Sequence, residues 1–168
     1  MLFRGLQAPL LRYLRAKAPG DAEDLASEVW VGVTRGLPTF VGDEPAFRGW
    51  VFTIASRRLR DRSRRRMRRP EVLVPPESVE AGYLVDTAAE AIERMSGQQA
   101  VDRLVAGLPP DMAEVLLLRV VADLSVAEVA RLMNRSPGAV RVLQHRALKR
   151  AAELMEPMRR ERGAVRGA

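Results

Sequence analysis

Residues 124–149 read LSVAEVARLMNRSPGAVRVLQHRALK. Ser125, followed three residues later by Glu128, forms a capping-box pattern that predicts the start of a helix. Residues 134–136, Asn-Arg-Ser, predict a short turn, and Ser136 followed by Pro137 predicts a second helix, because serine caps a helix and proline fits its first turn. Two short helices joined by a three-residue turn describe a helix-turn-helix, whose second helix enters the major groove of DNA.

Both predicted helices carry an apolar face. In the first, this face holds Val126, Val129, Ala130 and Leu132; in the second, it holds Val140, Leu143, Ala147 and Leu148. The second helix then directs Arg141, Gln144, His145 and Lys149 outward, with Arg135 and Ser136 near the phosphates at its start. Glutamine can read adenine and arginine can read guanine through paired hydrogen bonds. The pattern therefore predicts a surface that reads duplex DNA.

The rest of the chain is also predicted to be helical. Upstream of the helix-turn-helix, the sequence favours helices over 86–95, 98–108 and 111–122, the last with Val115–Leu118 at the centre of a small core. In the N-terminal part, Leu2, Leu6, Leu10 and Leu14 form one stripe of a helix that ends near Pro19. Asp21 opens a second helix, and Pro45 lies in the first turn of a third. No long period-two pattern occurs, so we predict an all-α fold.

Charge divides the chain into two small helical modules. The net charge is +7, yet residues 57–70 contain nine arginines and one aspartate, whereas residues 71–102 contain seven acidic residues and one basic residue. The acidic segment includes Pro75 and Pro76, which are typical of a flexible linker. Two basic regions flanking an acidic linker predict two separate contacts with a polyanion such as nucleic acid.

Composition excludes several classes of function. The 168 residues contain no cysteine and one histidine, which excludes disulfides and cysteine-ligated metals and leaves His145 without a second histidine. Asp24 and Glu28 lie one turn apart, but no nucleophile, phosphate loop or metal cluster accompanies them. We therefore predict no catalytic site, no cofactor and no metal. No apolar run is long enough to cross a membrane, so we expect a cytoplasmic protein without membrane insertion.

Three motifs occur in a fixed order along the chain. They are DAEDL at 21–25, the stretch 40–61 with Phe40, Gly42, Asp43 and Trp50, and the stretch 108–147 that ends in the helix-turn-helix. In this order and spacing, they resemble the extracytoplasmic-function (ECF) sigma factors of bacterial RNA polymerase. The resemblance implies sigma region 2 at 1–70, an acidic linker at 71–95, sigma region 4 at 96–160 and a basic tail at 161–168.

The resemblance also implies site residues and partners. Region 2 would bind the clamp coiled coil of core RNA polymerase through Asp24, Leu25, Glu28, Val29 and Trp30. It would bind the melted minus-ten promoter element through Phe40, Gly42, Asp43, Phe47, Arg57, Arg58, Arg60 and Arg62. Region 4 would contact the polymerase flap and read the minus-thirty-five duplex through Arg135, Ser136, Arg141, Gln144, His145 and Lys149. A dedicated anti-sigma factor is a further expected partner.

Several alternatives stay open at the level of sequence. Arg57 stands where the family usually has asparagine, and Val142-Leu143 stand where many members have Ser-Arg, so base preferences do not transfer directly. Core packing is favoured for Trp50, whereas Trp30 suits a core or a surface role equally. A stand-alone helix-turn-helix regulator would leave residues 21–61 unexplained. A packaging protein would bind nucleic acid without sequence preference.

Overall fold

The computed structural model describes residues 2–68 and 88–165, with side chains described for residues 5–68, 97–99 and 101–154. These residues contain helices and turns and no strand, which confirms the all-α prediction. They belong to two compact units, Met1–Gln98 and Gln99–Ala168. Most of the acidic linker predicted at 71–95, including Pro75 and Pro76, lies outside the described residues.

The first unit is built from three helices that all contact one another: α1 (Leu2–Lys17), α2 (Ala22–Gly36) and α3 (Glu44–Arg68). Short 3₁₀ turns at Pro19–Asp21 and Leu37–Thr39 follow α1 and α2. The predicted leucine stripe of α1 is confirmed at Leu6, Leu10 and Leu14, which are all buried, whereas the side chain of Leu2 lies outside the described residues. It supplies one wall of the core, against which the apolar faces of α2 and α3 pack.

An aromatic pair lies at the centre of this core. The rings of Tyr13 on α1 and Phe52 on α3 meet edge to face at a centroid distance of 5.5 Å, and both side chains are buried. Edge-to-face packing places the positive edge of one ring against the negative face of the other. The pair therefore fixes α1 against the apolar half of α3, and the arginine-rich half of α3 continues beyond it.

The boundary between the units falls within α4 (Ala88–Gly107), and the second unit contains the end of that helix, α5 (Pro110–Leu116), a π-helical segment (Leu117–Val121), α6 (Val126–Met133) and α7 (Pro137–Val165). Both α5 and α6 pack on α7. Residues 115–118 are all buried, which confirms them as the centre of this core. In the π-helical segment, the amide of Ala122 donates to the carbonyl of Leu117 at 2.9 Å, one residue further back along the chain than in an α-helix.

Two helix predictions are wrong in detail. Separate helices at 86–95 and 98–108 were expected, but α4 runs without a break from Ala88 to Gly107, through Ser96 and Gly97. A glycine weakens a helix without ending it when the flanking residues favour the helix. The predicted helix 111–122 is α-helical only as far as Leu116 and then changes to the π-helical turn.

Candidate nucleic-acid interface

Three aromatic side chains, Phe40, Phe47 and Trp50, pack where the loop before α3 meets that helix; we call them the aromatic corner. The Phe40 ring stacks on Trp50 at a centroid distance of 4.9 Å and meets Phe47 edge to face at 5.5 Å. Phe47 is only 6% exposed, so this member of the predicted minus-ten set supports the loop from beneath and is not available to a ligand. Phe40 and Trp50 are half-buried, which leaves part of the corner accessible.

Gly42 and Asp43 shape the loop that carries Phe40. A Cβ atom on residue 42 would lie 2.9 Å from the Phe40 ring and 2.9 Å from the Ala46 side chain, so the loop folds this tightly only with glycine there. The Oδ1 atom of Asp43 accepts a hydrogen bond from the backbone N–H of Ala46 at 3.0 Å. Asp43 thereby caps α3, because it satisfies an amide that the helix leaves free.

The second half of α3 presents the predicted arginines at different exposures. Arg57 and Arg60 are exposed, whereas Arg58 and Arg62 are half-buried. Arg60 donates through Nη2 to Ser56 Oγ at 3.0 Å, which satisfies the hydroxyl of a buried side chain. Arg57 makes no hydrogen bond or ion pair with any residue that the structure describes. Arg57 is therefore the member of this set most available to an external anion.

Asp21 holds two arginines of α3, and sequence reasoning missed this contact. Its carboxylate accepts hydrogen bonds from Arg62 Nη2 at 2.5 Å and from Arg66 Nη2 at 2.6 Å. We call these three residues the Asp21 clamp. The hydrogen bond that Arg62 donates to Asp21 raises the pKa of the Arg62 guanidinium above its ordinary value. Asp21 was expected to open α2, and it does occupy the N-cap, but its side chain makes no cap hydrogen bond.

The predicted polymerase-binding residues divide between surface and core. Asp24 is exposed, and Glu28 and Trp30 are half-buried. Leu25 and Val29 are 1% and 0% exposed, so they hold α2 against its own unit and do not form part of a docking surface. The apolar spacing that suggested them for docking is the same spacing that buries them.

Two of the predicted sites meet at Glu28. Its carboxylate lies 3.9 Å from Arg58 Nη1 and 4.0 Å from Arg62 Nη1, although Glu28 was assigned to polymerase binding and both arginines to DNA binding. On the opposite side of α2, the indole N–H of Trp30 donates to Gln7 Oε1 of α1 at 2.5 Å. The structure therefore places the acidic face of α2 directly beside the basic half of α3.

The helix-turn-helix forms as the sequence predicts. Ser125 Oγ accepts from the Glu128 amide at 3.2 Å, and the Glu128 carboxylate accepts from the Ser125 amide at 2.7 Å, which completes the capping box. Asn134 ends α6 in the left-handed conformation, with φ of 53°. Ser136 Oγ accepts from the Ala139 amide at 3.2 Å and caps α7. Local side-chain hydrogen bonds therefore fix both ends of the turn.

One face of α7 points away from the core. At about 100° per residue, residues 138, 142, 145 and 149 lie on the side opposite the buried Val140, Ala147 and Ala151, and residue 141 lies at the margin of that side. We call Arg141, Val142, His145 and Lys149 the outer face; all four are exposed. Three of them, Arg141, His145 and Lys149, belong to the predicted minus-thirty-five set.

Gln144 and Leu148 do not lie where the sequence placed them. Gln144, expected to point outward, is half-buried, and its Oε1 accepts from Arg119 Nε at 3.1 Å. Leu148, expected to point inward, is 47% exposed. The helical period explains both errors, because four residues make slightly more than one turn. Gln144 therefore lies on the edge of the buried face, and Leu148, one turn later, has rotated past that edge. Ala151 occupies the buried position instead.

Arg119 and Arg135 connect parts of the second unit. Arg119, which received no role from the sequence, donates through Nη1 to the backbone carbonyl of Leu124 in addition to its bond with Gln144. Arg135, predicted to lie near DNA phosphates, forms an ion pair with Asp111 at the start of α5. Its side chain remains 41% exposed. Arg135 and Gln144 are therefore both held by neighbours in this structure.

The described residues contain no group of histidine, cysteine and carboxylate side chains that could hold a metal ion. His145 lies on the outer face among basic and apolar neighbours. No helix in the part of the chain that the structure describes is long and apolar enough to cross a membrane.

A three-helix unit with an arginine-rich helix and a helix-turn-helix unit with a basic outer face define a nucleic-acid-binding protein with two helical units. Residues 2–69 match the family Sigma-70 region 2, and residues 98–150 match the family Sigma-70, region 4. The ECF RNA polymerase sigma factor ShbA of Streptomyces griseus is 38% identical over 155 residues, which cover 87% of this chain and 81% of that protein. The ECF RNA polymerase sigma factor SigD of Mycobacterium tuberculosis is 33% identical over 149 residues, covering 84% and 69%.

The chain therefore belongs to the ECF RNA polymerase sigma factors. It is a transcription initiation factor that binds core RNA polymerase and directs it to promoters, and this function is favoured over a stand-alone regulator. The match to region 2 also accounts for the segment 21–61, which a regulator with only a helix-turn-helix leaves without a purpose.

Solved structures share the fold. CnrH, solved with the cytosolic domain of CnrY, matches with a TM-score of 0.56 and 19% identity over 92% of this chain and 84% of that chain. The sigma factor RpoE of Bartonella quintana, solved with the anti-sigma factor NepR, matches with a TM-score of 0.58 and 20% identity over 90% and 92%. At these identities the likeness establishes the fold alone.

Proposed function

We propose that the first unit binds core polymerase through the acidic face of α2 and binds the melted minus-ten strand through the aromatic corner and α3. Asp24 and Glu28 offer negative charge on one face of α2, which suits a basic docking helix on the polymerase. Phe40 offers a stacking surface, and Arg57 and Arg60 offer cations for phosphates. Stacking and phosphate contacts together are what an unpaired strand requires, because its bases are no longer held by a complementary strand.

The second unit reads the minus-thirty-five duplex with the outer face of α7. The observation that carries this proposal is that Arg141, His145 and Lys149 are all exposed on α7, away from its buried residues. Arg141 and Lys149 provide charge, and Arg141 lies one turn from the capped start of the helix, where a recognition helix meets base edges. Ser136 and Arg135 lie at that start, where phosphates approach. Gln144 is tied to Arg119 and takes no part as the structure stands.

A double substitution on α2 tests the proposed contact with core polymerase. Asp24→Asn combined with Glu28→Gln should weaken binding to core polymerase by about tenfold or more, because two charges are lost from the docking face. Glu23→Gln is the matched control, since it removes one charge from the exposed side of the same helix. Binding is measured by titrating labelled protein with core enzyme. Unchanged affinity of the double variant would remove these acids from the docking face.

Arg141→Ala tests the second contact. Loss of one base contact should reduce holoenzyme affinity for the minus-thirty-five element by about tenfold, from ~1–3 kcal/mol of lost discrimination, while core binding stays intact. Arg150→Ala is the control, because Arg150 lies on the same helix away from the outer face and pairs with Glu153 at 2.9 Å. Loss of core binding in Arg141→Ala would show that α7 has another role.

Two partner and location assignments complete the proposal. An anti-sigma factor binds the chain and withholds it from polymerase until a signal arrives, and transcription at full rate in native cells without any signal would contradict this. The protein acts in the cytoplasm, where polymerase and promoters are, and polymerase performs the chemistry while this chain selects the start site.

A further inference from the structure

Val142 lies at the centre of the outer face of α7 and is 53% exposed. Its neighbours on that face are Arg141, His145 and Lys149, all of them polar. The buried side of the helix is already filled by Val140, Ala147 and Ala151, so packing within the unit does not require a valine at 142. An apolar side chain at the middle of a basic DNA-facing surface is therefore available for contact with a partner.

Gly138 leaves a gap beside Val142. It lies one turn before Val142 on the same face, and a Cβ atom there would meet nothing within 4 Å. Packing within the unit thus gives no reason for glycine at a position where alanine would strengthen the helix. Side chains on a helix lean toward its N-terminus, so the Val142 methyl groups lie over the turn that contains Gly138. The two residues form a shallow apolar step.

The chemistry of the major groove identifies what fits this step. The four base pairs display hydrogen-bond donors and acceptors there, and the apolar group among them is the 5-methyl of thymine. Gln144, the side chain expected to read adenine, is half-buried at the edge of the buried face and is held there by Arg119, so it is not part of the outer face. Val142 is the apolar member of the outer face, so it is the side chain there that matches this methyl group.

We propose that Val142 packs against the methyl group of one thymine in the minus-thirty-five element and that Gly138 leaves room for that base-pair edge. The proposal rests on the proposed placement of α7 in the major groove. It assigns to Val142 a role in sequence choice that is independent of phosphate contacts.

Replacing thymine by uracil tests the contact, because uracil lacks only the methyl group. Holoenzyme reconstituted from the full chain and core polymerase is first used to select the minus-thirty-five element from a promoter library. Each thymine of that element is then replaced by uracil, one at a time. At one position the affinity should fall about fourfold, the loss expected for one buried methyl group.

The variant Val142→Ala links that loss to the residue. It should bind thymine-containing DNA less tightly and show no difference between thymine and uracil at the sensitive position. Leu148→Ala is the matched control, because Leu148 is similarly exposed on the same helix but lies about 120° from Val142 around its axis, and it should keep the fourfold difference.

Three results would overturn the inference. The first is a selected minus-thirty-five element that contains no A·T pair. The second is an element in which uracil lowers the affinity at no position. The third is a loss of affinity with uracil that persists in Val142→Ala. A holoenzyme that selects no minus-thirty-five element would instead overturn the proposed function, and the inference would fail with it. The library selection, made before any uracil is introduced, separates the two failures.

Discussion

Replacing Asp21 by asparagine should destabilise the first unit, since the Asp21 clamp joins the start of α2 to the far half of α3. The Asp21 side chain is 12% exposed and accepts two charged hydrogen bonds, from Arg62 at 2.5 Å and from Arg66 at 2.6 Å. A hydrogen bond to a charged group contributes about 1.5–3 kcal/mol when well shielded. The Arg62 and Arg66 side chains are 34% and 70% exposed, and solvent screening reduces their contributions, so we expect a total loss of about 1–2 kcal/mol.

A double-mutant cycle measures the clamp directly. Asp21→Asn, Arg62→Gln and the double variant should give a coupling free energy of about 1 kcal/mol, whereas the Asp21–Arg66 pair, more exposed, should give about 0.5 kcal/mol or less. Arg64→Gln is the control, because Arg64 is exposed on the same helix and makes no hydrogen bond or ion pair with any described residue.

Urea unfolding of the full chain, followed by tryptophan fluorescence, provides the assay. The chain has two tryptophans, and both Trp30 and Trp50 lie in the first unit, so the signal reports the unfolding of that unit. Raising the salt concentration should reduce both coupling energies, because exposed ion pairs are screened. A coupling between Asp21 and Arg62 that does not differ from that between Asp21 and Arg64 would refute the reasoning.

Three further predictions concern local contacts. Gly36→Ala places a Cβ atom 2.6 Å from the Trp50 ring, so it should lower unfolding stability by about 1–3 kcal/mol and shift tryptophan emission; Gly20→Ala, where a Cβ meets nothing within 4 Å, should change neither. Ser125→Ala removes the capping box of α6 and should speed amide hydrogen exchange there by about fivefold, from ~1 kcal/mol, leaving the tryptophan unfolding midpoint unchanged. The hydrogen bond from Arg15 lowers the pKa of Glu23, so this contact stabilises the fold slightly at pH values above the unfolded-state pKa of about 4.3. The stabilisation should disappear as the pH falls through the folded-state pKa. In Glu23→Gln the stability curve against pH should lose this component, and an identical curve would contradict the assignment.

The helix-turn-helix could be predicted from the sequence because its signals are local. Ser125 and Glu128 bond each other three residues apart, and Ser136 caps the next helix over a similar distance. The turn between them is three residues long, so few other arrangements were available. Where residues close in sequence make the decisive contacts, their identities are sufficient for the prediction.

The Asp21 clamp could not be predicted, because Asp21 and Arg62 are 41 residues apart. Nothing in the sequence indicates which of nine arginines turns back toward α2. Leu25 and Val29 illustrate a related problem, since apolar spacing marks a helix face without stating whether that face is buried in the same unit or meets a partner. For Gln144 and Leu148, residue type was misleading, because helix rotation placed the polar side chain nearer the core.

The central claim is that this chain directs core RNA polymerase to specific promoters. Run-off transcription on a library of promoter fragments, with core enzyme alone and with core enzyme plus the full chain, tests it most directly. We predict discrete transcripts that require the chain and share one minus-ten and one minus-thirty-five element. The same products with and without the chain would contradict the account.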